Sequence, residues 1–268
     1  MSNGMVRYWG IRMGPPLAVG MGIVLLALGA GGGYQLSLLT IMCANIIVLV
    51  GLNIIAGYGG QMALGQAGFM GIGAYATVIS ISDWRLPSWA ALAVAPAIGA
   101  VVGLIIGIPT LRLKGIYFAV ATVALGVVVH NILLQGGTLT GGPDGRGGLK
   151  PLQIGSLMFD TGLEMFVLCL VLAVLALTFS QWMVRTWAGW GLRGANVSEH
   201  AATSVGVPIF SARLVAFVIA GALGALGGTL VAFSQLYVSP SLALRCLSPS
   251  ICLRCSSSEV WARSSAPS

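Results

Sequence analysis

The chain has 268 residues, a net charge of +7, 57% hydrophobic residues and only 7% charged ones, with a mean hydropathy of +0.96. Soluble domains carry about 25% charged residues to cover a water-facing surface, so this composition excludes disorder, a disulfide scaffold and an ordinary soluble enzyme. The basic residues are scattered singly and no basic aromatic patch appears, which leaves nucleic acid without a footprint. The sequence reads as an all-α, polytopic membrane protein with the lipid bilayer as its first partner.

A helix that crosses a bilayer needs about 20 mostly apolar residues. Seven segments qualify: 15–33, 36–56, 62–82, 88–110, 116–135, 163–183 and 213–236. The third opens Gln61-Met62-Ala63-Leu64-Gly65-Gln66 and is dense in glycine, so part of it is expected to be broken or re-entrant, which membrane depth tolerates only inside protein or beside a watery cavity. Cys43 and Cys169 lie inside apolar runs and read as small buried hydrophobes.

Orientation follows from Lys and Arg in the short loops. With the N-terminus inside and all seven spans alternating, the inner segments hold Arg7, Arg12, Arg112, Lys114, Arg185, Arg193 and Arg213, against Arg85, Arg146 and Lys150 outside. The bias places the N-terminus in the cytoplasm of a multi-pass protein. The long outer loop, 136–162, contains Thr140-Gly141-Gly142-Pro143-Asp144-Gly145-Arg146, a turn-rich exposed stretch. The long inner loop, 185–212, contains Ser198-Glu199-His200-Ala201-Ala202-Thr203-Ser204-Val205-Gly206. That stretch reads as a brief helix, capped by Ser198, stopped by Gly206 and lying along the membrane.

Chemistry is sparse. No lysine follows a phosphate-cradling glycine frame, His130 and His200 stand far apart without carboxylates, and the acids Asp83, Asp144, Asp160, Glu164, Glu199 and Glu259 fall in loops, the tail or a span edge. The sequence therefore offers no catalytic residue, metal site or cofactor. Intramembrane acids mark proton and ion relays; with none here, a transported solute would draw its energy from a partner. Polar residues within or beside the spans, Asn45, Asn53, Gln61 and Gln66, are candidates to line a route, and equally candidates to hydrogen-bond between helices as structural glue. Gly71, Gly73, Gly221, Gly224 and Gly228 mark sites of close helix approach.

The run Gly57-Tyr58-Gly59-Gly60-Gln61-Met62-Ala63-Leu64-Gly65-Gln66-Ala67-Gly68-Phe69-Met70-Gly71-Ile72-Gly73-Ala74-Tyr75 resembles the signature of branched-chain amino-acid ABC importer permeases, in their M-type branch. Leu111-Arg112-Leu113-Lys114-Gly115-Ile116-Tyr117-Phe118-Ala119 and Leu139-Thr140-Gly141-Gly142-Pro143-Asp144-Gly145 match in kind and order, and the likeness covers about residues 36–240. The resemblance implies a bacterial inner-membrane permease subunit that is not an enzyme. Its implied partners are a second permease subunit, cytoplasmic ATPase subunits and a periplasmic substrate-binding protein. It implies an ATPase-coupling loop at Glu199, His200, Ala201, Ala202 and Gly206, with His200 where the family pattern has its acid. It also makes Thr140, Gly141, Gly142, Pro143 and Asp144 the candidate docking loop for the binding protein. A permease for urea, amides or another small polar solute would show the same motifs, and a truncated, non-transporting remnant is the alternative from a different class.

The last 28 residues depart from this pattern. Nine are serine and three of the five cysteines, Cys246, Cys252 and Cys255, fall here. The resemblance implies further spans with a G-G-L-G-T-x-x-G-P stretch instead. If each original codon began one base earlier, Ala262 after the Trp261 codon becomes Gly, and Ser258–Ser268 can read V-G-G-L-G-T-L-V-G-P-V. The expectation is an incomplete permease domain over 1–240 and a frame-shifted tail over 241–268, with C-terminal spans missing.

Overall fold

The structure is a computed structural model that describes residues 33–239, apart from 62, 64, 114, 148, 150, 151, 155, 156, 160, 161, 198, 205 and 207. The expected span 15–33 lies outside the described residues except for its last position, and the tail 241–268 lies outside them entirely.

Six apolar segments fold as helices. They are α1 (Gly33–Asn53, continued by a π turn at Ile54–Tyr58), α2 (Gln66–Ser82), α3 (Ser88–Thr110), α4 (Ile116–Gln135), α6 (Gly162–Met183) and α9 (Ile209–Gln235). Between them lie α5 (Gly137–Thr140), a 3-10 turn (Gly142–Asp144), β1 (Arg146–Gly147), β2 (Leu152–Ile154) and β3 (Leu157–Phe159). Two further helices, α7 (Trp187–Val197) and α8 (Glu199–Ser204), precede α9, and β4 (Tyr237–Val238) follows it. All the long helices but α2 are long and apolar enough to cross a membrane. The chain is an all-α, multi-pass membrane bundle.

Helix α9 is the hub. It packs against α1, α2 and α3, while α6 lies behind α1 and α4 rests against α2. In lipid no hydrophobic force pulls apolar helices together, so association depends on close packing and interhelical hydrogen bonds. Glycine permits that closeness. A β-carbon on Gly221 would lie 2.8 Å from the Gly99 carbonyl oxygen of α3, and one on Gly224 would lie 2.9 Å from Phe69 Cβ of α2. At Gly228 it would run into the Met70 carbonyl, and at Gly73 into the backbone of Ala225. The buried Thr77 hydroxyl of α2 donates to the Thr229 hydroxyl of α9 at 3.1 Å, locking the register. Cys43 and Cys169 are fully buried, free thiols in the α1–α6 contact.

The loops segregate to two ends. At the end that carries the antiparallel β2–β3 hairpin, β1 pairs with β4, Arg146 bonds Asp83 from the α2–α3 turn, and the Tyr237 hydroxyl donates to the Asp144 carbonyl. At the opposite end, Leu192 of α7 packs in one cluster with Met183 and Ala212, and Arg193 stacks on Tyr58. The helices therefore alternate in direction, as crossing segments must. Exposed aromatic rings agree: Tyr34, Trp84, Trp89 and Tyr237 ring the hairpin end, and Tyr117, Trp182, Trp187 and Trp190 the α7 end. Between them the exposed side chains are aliphatic, such as Val101, Ile105, Val127 and Leu175. Amphipathic rings prefer the membrane–water interface on both sides, so the two belts mark where the bilayer sits.

Both long loops hold more structure than the sequence announces. The 185–212 loop holds the expected short helix at Glu199–Ser204 and a second one before it, because residues 187–197 bury Ala188, Leu192 and Ala195 at i, i+4 and i+7 while Trp187 and Trp190 face out. The 136–162 loop keeps its turns at Gly141, Gly142 and Gly145 and adds β1, for which β4, beyond α9 in the sequence, is the pairing strand.

Candidate functional site at a break in the helical layer

The segment 54–65, Ile-Ile-Ala-Gly-Tyr-Gly-Gly-Gln-Met-Ala-Leu-Gly, carries four glycines. Each glycine inside a helix costs about 0.5–1 kcal/mol relative to alanine, and here the helix widens into the π turn and ends. Such π turns recur at functional sites. Gly60 takes the left-handed conformation (φ 63°), which turns the chain back into the bundle.

Two contacts measure how deep it returns. Gln66 sits beside Gly51, seven residues before the end of the π turn, with its Nε2 3.0 Å from where a Gly51 β-carbon would be. Gly65 abuts the Thr122 carbonyl, six residues inside α4. At 1.5 Å per helical residue, both place the start of α2 about 9–10 Å inside the helical layer. The expected span 62–82 is thus a 17-residue helix from Gln66 to Ser82 completed by non-helical chain. Backbone at that depth must be enclosed by protein or line a cavity. Here Ala63 and Gly65 are buried, and a narrow gap beside them is lined by Ile55, Gln66, Phe69, Thr122 and Phe217. Phe217 meets Phe69 and Phe118 edge-on at 5.6 and 6.2 Å. The gap has no room for a water molecule, so the structure is closed at this point.

The four polar candidates do not share one surface. Gln66 is 3% exposed and donates through Nε2 to the Ala220 carbonyl of α9 at 2.8 Å. Asn53 is exposed on α1 with its Oδ1 folded over Gly57, Asn45 is half-buried two turns earlier on α1, and Gln61 is half-buried in the break. Only Gln61 and Gln66 belong to the re-entrant segment.

At the hairpin end, the Thr140 hydroxyl accepts from the Gly142 amide at 3.3 Å, and Gly141, Gly142 and Gly145 all have positive φ. Asp144 is exposed. Arg146 clasps Asp83 with both terminal guanidinium nitrogens, at 2.7 and 3.1 Å. Nothing local in the sequence pairs residues 63 positions apart, so this clasp was invisible there.

At the other end, Glu199, His200, Ala201 and Ala202 lie on α8. It stops where the Gly206 amide donates to the Thr203 carbonyl at 2.9 Å, with Gly206 at φ 80° and exposed. Ala202 is buried toward Gly194 of α7. Helix α7 in turn reaches the break: the Arg193 guanidinium lies 5.1 Å from the Tyr58 ring centroid and hydrogen-bonds to the tyrosine. Burial lowers the pKa of Arg193, and the Tyr58 hydroxyl opposes that shift. Tyr58, Arg193 and Asn196 are candidate site residues that the sequence did not single out for this role.

Comparison with known proteins connects these features. The family described as "Branched-chain amino acid transport system / permease component" matches residues 34–248. The chain is 31% identical over 224 residues to the high-affinity branched-chain amino acid transport system permease protein LivM of Escherichia coli K12, covering 75% of this chain and 53% of that protein. It is 30% identical, with the same coverage, to the protein of that name from Salmonella typhimurium LT2. The chain thus spans about half the length of the curated relatives it matches. No solved structure matches it. The match covers the broken helix, the hairpin-end loop and α7–α8 alike, and the chain belongs to the branched-chain amino acid transport permease family.

Proposed function

We propose that this chain is an inner-membrane permease subunit of a binding-protein-dependent ABC importer, moving branched-chain amino acids with energy from partner ATPase subunits. The observation that carries the reading is the break at 54–65, closed beneath Gln66. A chain that only anchored itself in lipid has no reason to bury irregular backbone about 9–10 Å inside the helical layer. Its two loop regions stand at opposite ends, which suits a binding protein at Thr140–Asp144 and ATPase subunits at α8. The basic-residue bias puts the α7 end, and with it the N-terminus, in the cytoplasm. A second permease subunit completes the route.

In this mechanism the chain supplies no chemistry of its own. It holds a closed constriction, and hydrolysis in the partner opens it. Gly206 offers a direct test. A side chain there has open space around it, yet φ 80° disfavours any residue but glycine by about 1–2 kcal/mol. Gly206→Val should therefore re-aim α8 without disturbing insertion. In vesicles containing the full assembly, leucine uptake should fall while the amount of inserted protein stays constant. Undiminished uptake would sink the coupling assignment. Parallel uptake of leucine, urea and acetamide decides the substrate class, and selective movement of urea or amides would replace the amino-acid reading.

A further inference from the structure

We infer that α7 is the transmission element between the ATPase-facing helix and the constriction, gripping the re-entrant segment through Arg193 on Tyr58, Leu192 on Gly59 and Asn196 on Gly60. This rests on the permease reading for its purpose, but the grip itself rests on contacts. Residues 192, 193 and 196 fall on one side of a helix. The Arg193 guanidinium covers the Tyr58 ring at 5.1 Å. Leu192, 2% exposed, puts its Cδ2 3.5 Å from where a Gly59 β-carbon would be. The Asn196 side-chain oxygen lies against Gly60, so closely that a β-carbon there would collide with it. Three consecutive residues of the break are thus held by one short helix.

That helix is in turn bound to α8. One residue, Ser198, separates them, and Gly194 of α7 packs on Ala202 of α8 with 3.7 Å between the alanine and a β-carbon built on the glycine. A push on α8 therefore moves α7 rather than bending a loop. Its opposite face pulls on Gly59 and Gly60, a few residues before Ala63 and Gly65, which close the gap under Gln66. The outward face of α7, with Trp187 and Trp190 exposed, contributes nothing to the grip. Arg193 and Asn196 are positioning residues, because they act on the route through Tyr58 and Gly60.

The test uses the full chain assembled with its second permease subunit, ATPase subunits and binding protein in lipid vesicles. Arg193→Gln should leave co-purification of the ATPase intact and hydrolysis nearly unchanged, while leucine moved per ATP falls about tenfold, within the usual range of coupling between sites. Arg193→Lys, which keeps a cation over the ring, should restore most of the loss. Unchanged transport per ATP in Arg193→Gln overturns the inference. So does loss of ATPase co-purification, which would mean that α7 merely shapes the docking helix.

A second readout needs no transport. With the five native cysteines replaced by serine and Gln61→Cys introduced, ATP binding to the partners should change the rate of thiol labelling. Arg193→Gln should abolish that change. A wild-type assembly that moves no leucine but shows this labelling pattern refutes the substrate and keeps the transmission. Leucine transport with labelling indifferent to Arg193 does the reverse.

Discussion

Two glycine-to-alanine substitutions should separate packing from helix propensity. At Gly228, in α9, a β-carbon would meet the Met70 carbonyl group and the Ala74 amide nitrogen of α2, the latter at 3.1 Å. These are backbone atoms and cannot swing aside, so α2 and α9 must separate. Overpacking of this kind costs typically about 1–3 kcal/mol. Separation also stretches the adjacent Thr77–Thr229 hydrogen bond, of a kind worth about 0.6 kcal/mol in membrane helices. The better helix propensity of alanine returns about 0.8–1 kcal/mol. With immobile backbone on both sides the upper end of the packing range applies, and Gly228→Ala should destabilise by about 2–3 kcal/mol. Gly126 in α4 is the control, since a β-carbon there has only the Gly65 α-carbon nearby, at 3.9 Å. Gly126→Ala should be neutral or stabilising by up to about 1 kcal/mol. The assay is equilibrium unfolding by SDS in mixed micelles, followed by far-UV circular dichroism. If the two variants unfold within about 0.5 kcal/mol of each other, the α2–α9 separation is not set by glycine and the packing argument fails.

Other outcomes follow from the polar contacts and the tail. Asp83→Asn should lower global stability by no more than about 1 kcal/mol, because the pair with Arg146 is partly exposed. Tryptic cleavage after Arg146 should still accelerate at low salt, and equal cleavage rates would show that the pair does not hold the loop. A double-mutant cycle with Thr77→Val and Thr229→Val should give a coupling of about 0.6 kcal/mol; additive losses would deny the hydroxyl pair any role. We also propose that 241–268 is read one base out of frame. Resequencing codons 238–268 should reveal a single-base change that restores G-G-L-G-T, and confirmation of the present frame with no such sequence downstream would end that proposal.

Span positions were legible because lipid imposes one simple demand, a long apolar run, and 88–110 and 116–135 coincide with α3 and α4. The glycine pattern Gly224-x-x-x-Gly228 likewise announced a close helix contact, and the Ser198–Gly206 stretch a short helix. What stayed hidden depends on the third dimension. The depth of the break is set by Gly65 against Thr122 and Gln66 against Ala220, partners 57 and 154 residues away. Helix α7 escaped notice because Gly189, Gly191 and Gly194 look like loop residues. Yet Gly189 is required by the backbone of Val184, which leaves no room for a β-carbon. Glycine therefore carries two opposite meanings along this chain. At 57–60 it ends a helix, and at 189 and 221–228 it lets one pack; no local pattern tells these apart, because at 221–228 the neighbour that decides is far off in sequence. The same ambiguity explains why the polar residues were harder to place than the spans. Gln66 and Asn53 are equally polar, but only Gln66 finds a carbonyl of another helix within reach, and that carbonyl belongs to a residue whose position only the assembled bundle fixes.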